Sequence, residues 1–399
     1  MKKLLRSALL CAAAFVFLVP ANAQTVYVAA TKEDGGVIVK SNKANTITLD
    51  GREVTGVGAN SRGVWTLVRT TDVRGNWYSN VGPADRHMIG WGEYVLYLNG
   101  NVYKKYPFGD PKTGCISSAV LKVKGNDVAV AGTMAKKFED TWCYWGKLWG
   151  ELNGRSVYNT EWERKSLKRK WFQGLTEPTH GLLNVGYAKT PDVDGNFSSM
   201  YHVFACDILD GKIYSTGWGE REYTYYNTGL AQDVYYVRRC ARGWLNGKEV
   251  LQQYKNQTSG ARTLTIGGNS SNPIWYTAGH HRGDPMSWTG NTDMASLDGD
   301  GVITAEAVVT YNNSVRRYFI ANGNFYMYDG KNIKTIRDHG NFKDVVAYKN
   351  QVYVLYTLDS RDVFSVVKVN FETDDIDGFG YNVIPKDGMA KDWKLAVTD

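Results

Sequence analysis

Residue types that suit chemistry cluster in a few short stretches of this 399-residue chain. TTDVRGNWYSNVGPADRHMIG, from Thr70 to Gly90, carries Trp77, Tyr78, Asp85, Arg86 and His87. WGEREYTYYN contributes Trp218, Glu220 and Glu222, KTPDVDGN contributes Asp192 and Asp194, and GHHRGDPMSW contributes His280, His281 and Trp288. Aromatic faces among charged and amide groups suit sugars, whose CH faces stack on rings while their hydroxyls hydrogen-bond. The competing use of the same Tyr and Trp side chains is to pack loop bases onto the body of the fold. Asp192, Asp194, Glu220 and Glu222 are the types that a glycosidase holds across a scissile bond as acid and base, although the first two also suit a turn.

Other chemistry is disfavoured. His280 and His281 are adjacent, so on a strand they point to opposite faces and do not share a metal ion. The neighbouring Arg282-Gly283-Asp284 needs a protruding tip to serve in adhesion. SLDGDGVITAEA, Ser296 to Ala307, has the register of a calcium loop at Asp298, Asp300 and Gly301, but Ser296 and Ala307 stand where its most demanding carboxylates belong; a hairpin turn is expected instead. There is no nucleophile elbow, no H-E-x-x-H and no C-x-x-C. Neither a metal nor a cofactor is expected. In WERKSLKRKWF the bases Arg164, Lys165, Lys168, Arg169 and Lys170 lie between flanking aromatics, a pattern that can grip acidic polymers but more simply makes a solvated connection.

The elements that position these stretches repeat. ITLDGREV, YLNGNVY, GELNGRSVY, DILDGKIY, WLNGKEV, SLDGDGVI and IANGNFY each set Asn-Gly or Asp-Gly between apolar runs. These pairs accept the positive φ of two-residue hairpin loops, so each predicts two antiparallel strands meeting. A second unit recurs as VYVAA, VWTLV, DVAVAGT, KIYSTG, PIWYTAG and VYVLYT. Two hairpins make a four-stranded unit at a period of roughly 45 to 55 residues, the spacing of a β-propeller blade. The expected fold is all-β, a propeller of about seven four-stranded blades, with six or eight also open and two stacked sandwiches as the alternative. WKLAVTD, Trp393 to Asp399, is expected to pair beside the first strand near Val26 and close the ring.

A D-V-x-V-A-G strand at Asp127 to Gly132 and a W-x-N-G hairpin within Ala241 to Val250 resemble a group of exported bacterial repeat proteins of unassigned activity. That resemblance implies a propeller-like fold in the cell envelope and no catalytic residues.

The N-terminus reads as a cleavable export signal over residues 1–23: Lys2, Lys3 and Arg6, then an apolar run, then Ala21-Asn22-Ala23. A single propeller domain over 24–399 follows, with no later run long enough to span a membrane. The formal charge of +7 becomes +4 without those three bases, which is no nucleic-acid footprint. Cys115, Cys143, Cys206 and Cys240 allow three disulfide pairings in an oxidising compartment; Cys115 with Cys143 and Cys206 with Cys240 would each close a local loop. The expected function is non-enzymatic recognition of a glycan or an envelope protein in the periplasm, at the cell surface or outside the cell. A glycoside hydrolase or lyase and a structural scaffold are the alternatives.

Overall fold

The computed structural model describes residues 24–70, 92–107, 109–110, 114–137, 144–164, 201–227, 232–252, 259–297, 299–338, 340–357, 362–376 and 380–399. The expected signal segment lies outside them. Every regular element among the described residues is a β-strand. The strands form seven antiparallel sheets with four strands at the heart of each, consecutive in sequence in six of them. Blade two runs Glu53–Asn60, Gly63–Arg69, Tyr94–Leu98 and Asn101–Tyr106, from the innermost strand outwards. Blades four, five, six and seven begin with innermost strands Tyr201–Leu209, Ser259–Asn269, Ile303–Tyr311 and Phe342–Tyr348. Blade three begins with Gly114–Lys124 and carries two extra two-residue strands.

Blade one closes the ring. Its innermost strand is the C-terminal Met389–Thr398, which pairs with Thr25–Lys32 so that Val26 faces Val397, Tyr27 faces Ala396 and Val28 faces Leu395. The seven innermost strands then neighbour one another around a central channel.

Along Glu53–Asn60 period-2 alternation buries every second residue from Val54, whereas a middle strand such as Val37–Ser41 is buried on both faces. Apolar side chains fill the wedges between blades: Ala305, Ala307 and Val309 of blade six meet Phe342, Val345 and Val354 of blade seven. Burying each large apolar side chain stabilises by roughly 1.5–3 kcal/mol. A polar tie crosses one wedge. The buried Arg317 guanidinium of blade six pairs with Glu306 at 2.6 Å and donates to the carbonyls of Thr277 at 2.9 Å and Trp288 at 3.1 Å in blade five. Thr263 of blade five completes it, donating to Glu306 at 2.6 Å.

The Asn-Gly pairs do more than reverse the chain. Asn99-Gly100, Asn153-Gly154 and Asn246-Gly247 close the outer hairpins of blades two, three and four, all with positive φ. Each Asn also reaches the second residue of its blade's second strand. The amides of Val64, Val128 and Ile213 donate to Asn99, Asn153 and Asn246 Oδ1, each at 2.9 Å, and the Asn backbone amides donate back to the same residues' carbonyls. Asn42 repeats the device on Val26 in blade one.

Two of the expected hairpin turns are instead crossovers between blades. Asp50-Gly51 carries the chain from the outermost strand of blade one into blade two, and Gly299 to Gly301 links blade five to blade six. At Gly51 the requirement is space: a Cβ there would lie 2.1 Å from Val68 Cγ1. Two stretches read as loops are strands. Trp218 to Asn227 continues Lys212–Asn227, paired with Gln232–Leu245 in a hairpin that extends past the start of blade four's innermost strand. His280 and His281 end Asn272–His281, which turns at Arg282-Gly283 into Asp284–Thr289.

The expected Cys206–Cys240 disulfide is not formed. Cys206 lies on the first strand of blade four opposite Ser215, and Cys240 lies on the third strand opposite Gly219. The intervening strand separates them by about 9–10 Å across the sheet and the four-residue offset from Ser215 to Gly219 by about 13 Å along it, roughly 16 Å in all and beyond the reach of a disulfide. Cys206 Sγ is directed at the carbonyl of Val120, and Cys240 Sγ at that of Gly219. Cys143, the expected partner of Cys115, lies outside the described residues.

Candidate binding site at the mouth of the channel

Each innermost strand slips register against its neighbour near the same end of the ring, once in blades two to seven and twice in blade one. In blade two, Val54 faces Val68 and Gly56 faces Leu67, so Thr55 is the additional residue. The same count leaves Ser117 in blade three, Phe204 in blade four, Arg262 in blade five, Thr304 in blade six and Lys343 in blade seven. In blade one Asp392 and Trp393 together face Ala30. A bulge leaves its extra residue outside the ladder and re-aims the side chain. All of these residues line one cavity of ≈ 680 Å³ at the mouth of the channel. The long blade-four hairpin extends beyond the ring at this same end.

The local sequences share a form that could have revealed the ring: an apolar or small residue, the bulged residue, then a small or short polar one. Val54-Thr55-Gly56, Val203-Phe204-Ala205, Ala261-Arg262-Thr263, Ile303-Thr304-Ala305 and Phe342-Lys343-Asp344 all fit. At Gly56 a Cβ would meet Leu121 Cβ of blade three at 2.7 Å, so the neighbouring blade imposes the small residue.

The cavity is chemically lopsided. Arg262 lies over the Phe204 ring at 4.6 Å, and burial lowers its pKa to about 10, leaving it protonated at neutral pH. Lys343 lies over the Trp393 ring at 4.2 Å and donates to Asn341. Trp393 Nε1 is buried with no hydrogen-bond partner among the described residues. Of the three carboxylates in the lining, Glu53, Asp344 and Asp392, the first two are engaged by protein. Glu53 pairs with Arg69 at 2.5 Å; burial raises its pKa, opposed by Arg69. Asp344 accepts the amides of Val345 at 2.9 Å and of Leu395, in blade one, at 2.7 Å; burial raises its pKa too, with Lys394 opposing. His202 packs on Phe204 at 4.4 Å and stacks on Trp218 at 5.9 Å. Burial, aided by the charge of Arg69, pushes its pKa down to about 3, so it is a neutral ring here.

Of the residues singled out from the sequence, Trp77, Tyr78, Asp85, Arg86, His87, Asp192 and Asp194 lie outside the described residues. Trp218 is fully buried and backs His202 behind the cavity wall. Glu220 and Glu222 stand on the long blade-four hairpin, opposite Arg239 and Val237. His280 is buried and His281 half-buried, on the hairpin of blade five. Trp288 is fully buried, and its carbonyl serves Arg317. No group of three His, Cys, Asp or Glu side chains suited to a metal occurs among the described residues. No helix among them is long and apolar enough to cross a membrane.

The seven sheets and their closure define the class of protein: a seven-bladed β-propeller closed by its C-terminal strand. No family model matches the sequence, and no curated protein matches it. Solved structures similar to it include the Cps50 (Swd1) β-propeller domain of Myceliophteria thermophila, at 10% identity and a TM-score of 0.38, over 84% of this chain and 90% of that one. The β-propeller domain of the Trilobed protease from Pyrococcus furiosus matches at 10% identity and a TM-score of 0.32, over 90% and 77% of the two chains. A dihydro-heme d1 dehydrogenase matches at 10% identity and a TM-score of 0.43, over 90% of this chain and 64% of the other.

Proposed function

We propose that this chain is an exported, non-enzymatic propeller of the cell envelope that seats a glycan in the mouth of its channel. The bulge ring carries the reading. It surrounds ≈ 680 Å³, within the range of about 300–1,000 Å³ typical of small-ligand sites. Phe204 and Trp393 offer ring surfaces, and Thr55, Thr304, Arg262 and Lys343 offer hydrogen-bonding groups between them. Binding is favoured over hydrolysis because a glycosidase needs two carboxylates acting as a pair, and of the three in the lining Glu53 is tied to Arg69 and Asp344 to two backbone amides, which leaves Asp392 without a second untied carboxylate to act with.

The test is a glycan array probed with residues 24–399, followed by calorimetry on any hit. Phe204→Ala and Trp393→Ala should each weaken binding several-fold, the loss expected for one stacking contact. An array without hits, together with measurable cleavage of an oligosaccharide, refutes the binding reading and moves attention to Glu220 and Glu222. Export is tested separately by fractionating cells that carry the chain with and without residues 2–23; equal retention inside the cytoplasm refutes it.

A further inference from the structure

We propose that Gln24 is a modification site: once the export signal is removed, its freed α-amine closes on its own side-chain amide and gives a pyroglutamyl end. The inference rests on the export part of the proposed function and is independent of what the channel binds. The small-residue site Ala21-Asn22-Ala23 sets Gln24 as the first residue of the exported chain. Gln24 also immediately precedes the first strand, Thr25–Lys32.

The fold holds the atoms of Gln24 that this reaction keeps and leaves alone the ones it changes. The side-chain carbonyl, Oε1, accepts from the hydroxyl of Tyr353, a buried residue on the second strand of blade seven. Burial pushes the Tyr353 pKa up to about 12, so the hydroxyl keeps its proton to donate. The backbone carbonyl of Gln24 accepts from Asn42 Nδ2 at 3.0 Å, and Asn42 Oδ1 takes the Val26 amide at 3.0 Å. Asn42 Nδ2 also donates to Asn382 of blade seven at 3.1 Å, so Gln24 is anchored to both blade one and blade seven. By contrast, neither the backbone nitrogen nor Nε2 of Gln24 donates to any described residue.

In the reaction the unprotonated α-amine attacks Cδ of the same residue; an N–Cδ bond forms, the Cδ–Nε2 bond breaks, and ammonia departs with the proton that the amine gives up. No oxidant, reductant or second substrate is consumed. An α-amine titrates near about 8, so a usable fraction is unprotonated at neutral pH, and attack within one residue has the high effective concentration of an intramolecular step. Oε1 becomes the lactam oxygen and remains the acceptor for Tyr353. The product has no terminal charge and no free amine for an aminopeptidase to grip, which suits a half-buried chain end.

The experiment exports the full chain, signal included, from a bacterial host and reads the purified protein by intact mass, N-terminal peptide mass and Edman degradation. The expected product begins at Gln24, is lighter than the unmodified 24–399 chain by one ammonia, and gives no Edman signal until pyroglutamyl aminopeptidase is added to the denatured chain. Gln24→Ala, which cannot cyclise, should give an unblocked end. Tyr353→Phe should lower the urea midpoint of the cyclised protein and lower it less in the Gln24→Ala background, where the hydroxyl has already lost its acceptor. A chain that begins at Gln24 and keeps its amide through prolonged incubation at neutral pH overturns the modification while leaving export in place. So does cleavage at any other residue. Retention of residues 1–23 refutes the export reading as well, and equal Tyr353→Phe losses in the two backgrounds overturn the contact between the hydroxyl and the lactam.

Discussion

Replacing Glu306 with Ala should be among the most damaging single changes in the ring. The carboxylate accepts from Arg317 at 2.6 and 2.7 Å and from Thr263 at 2.6 Å, in a wedge where the Arg317 side chain is 2% exposed and that of Glu306 is 0% exposed. Removing one partner of a buried pair leaves the other charged and desolvated, at a cost of about 3–5 kcal/mol. Arg317 retains the carbonyls of Thr277 and Trp288, which places the loss nearer the lower figure. With a urea m-value of about 3 kcal/mol/M for a chain of this size, the midpoint should fall by roughly 1 M. The double variant Glu306→Leu with Arg317→Met removes both charges and should recover much of that loss. The assay is urea unfolding followed by far-UV dichroism and tryptophan emission together, since coincident curves are what license a single free energy. A cost below about 1 kcal/mol for Glu306→Ala, or additive effects in the double variant, would refute the account of this tie.

Two further outcomes follow from individual side chains. Asn246→Ala removes the bond to the Ile213 amide and places a Cβ residue without local compensation at positive φ, so urea unfolding should show a loss of about 1–3 kcal/mol, with Asn246→Gly retaining more. His202 is held neutral in the fold, with a pKa of about 3, against about 6.5 when unfolded. The unfolded chain therefore binds the extra proton between those values. The stability that His202 contributes is complete above pH 6.5 and declines as pH falls below it, by at most about 1.4 kcal/mol per unit, less for a ring that is partly exposed. His202→Phe should flatten that part of the stability profile between pH 6.5 and 5, and an unchanged profile would count against the assignment.

The sequence disclosed the fold more readily than the site, for local reasons. Asn99, Asn153 and Asn246 sit where a positive φ and a side-chain acceptor are both needed, and few residues supply both, so the turn is written in the composition. The dipeptide did not distinguish a hairpin from a blade crossover, because Gly51 answers a steric demand from Val68 that is set by tertiary packing. Trp218 to Asn227 looked like loop chemistry because it mixes charges with aromatics, but its tyrosines and threonine also favour strands, and the pairing with Gln232–Leu245 decides the matter. The bulge ring escaped notice because no single bulge has a strong signature. Thr55, Phe204, Arg262 and Lys343 share a position in the blade and no chemistry, so only superposing the repeats brings them together.

The closing strand gives the mouth of the channel a dependence on time. Trp393 and Asp392 reach the cavity only after Met389–Thr398 has docked against Thr25–Lys32, and that pairing joins the two most distant parts of the described chain. During synthesis the first strands must wait for nearly all the others before their inner edge is covered, and contacts so remote in sequence form late. For the proposed site at the mouth of the channel, ligand competence would then be a readout of completed folding. Trimming the last strand would abolish the site while the blades on the far side of the ring stayed intact.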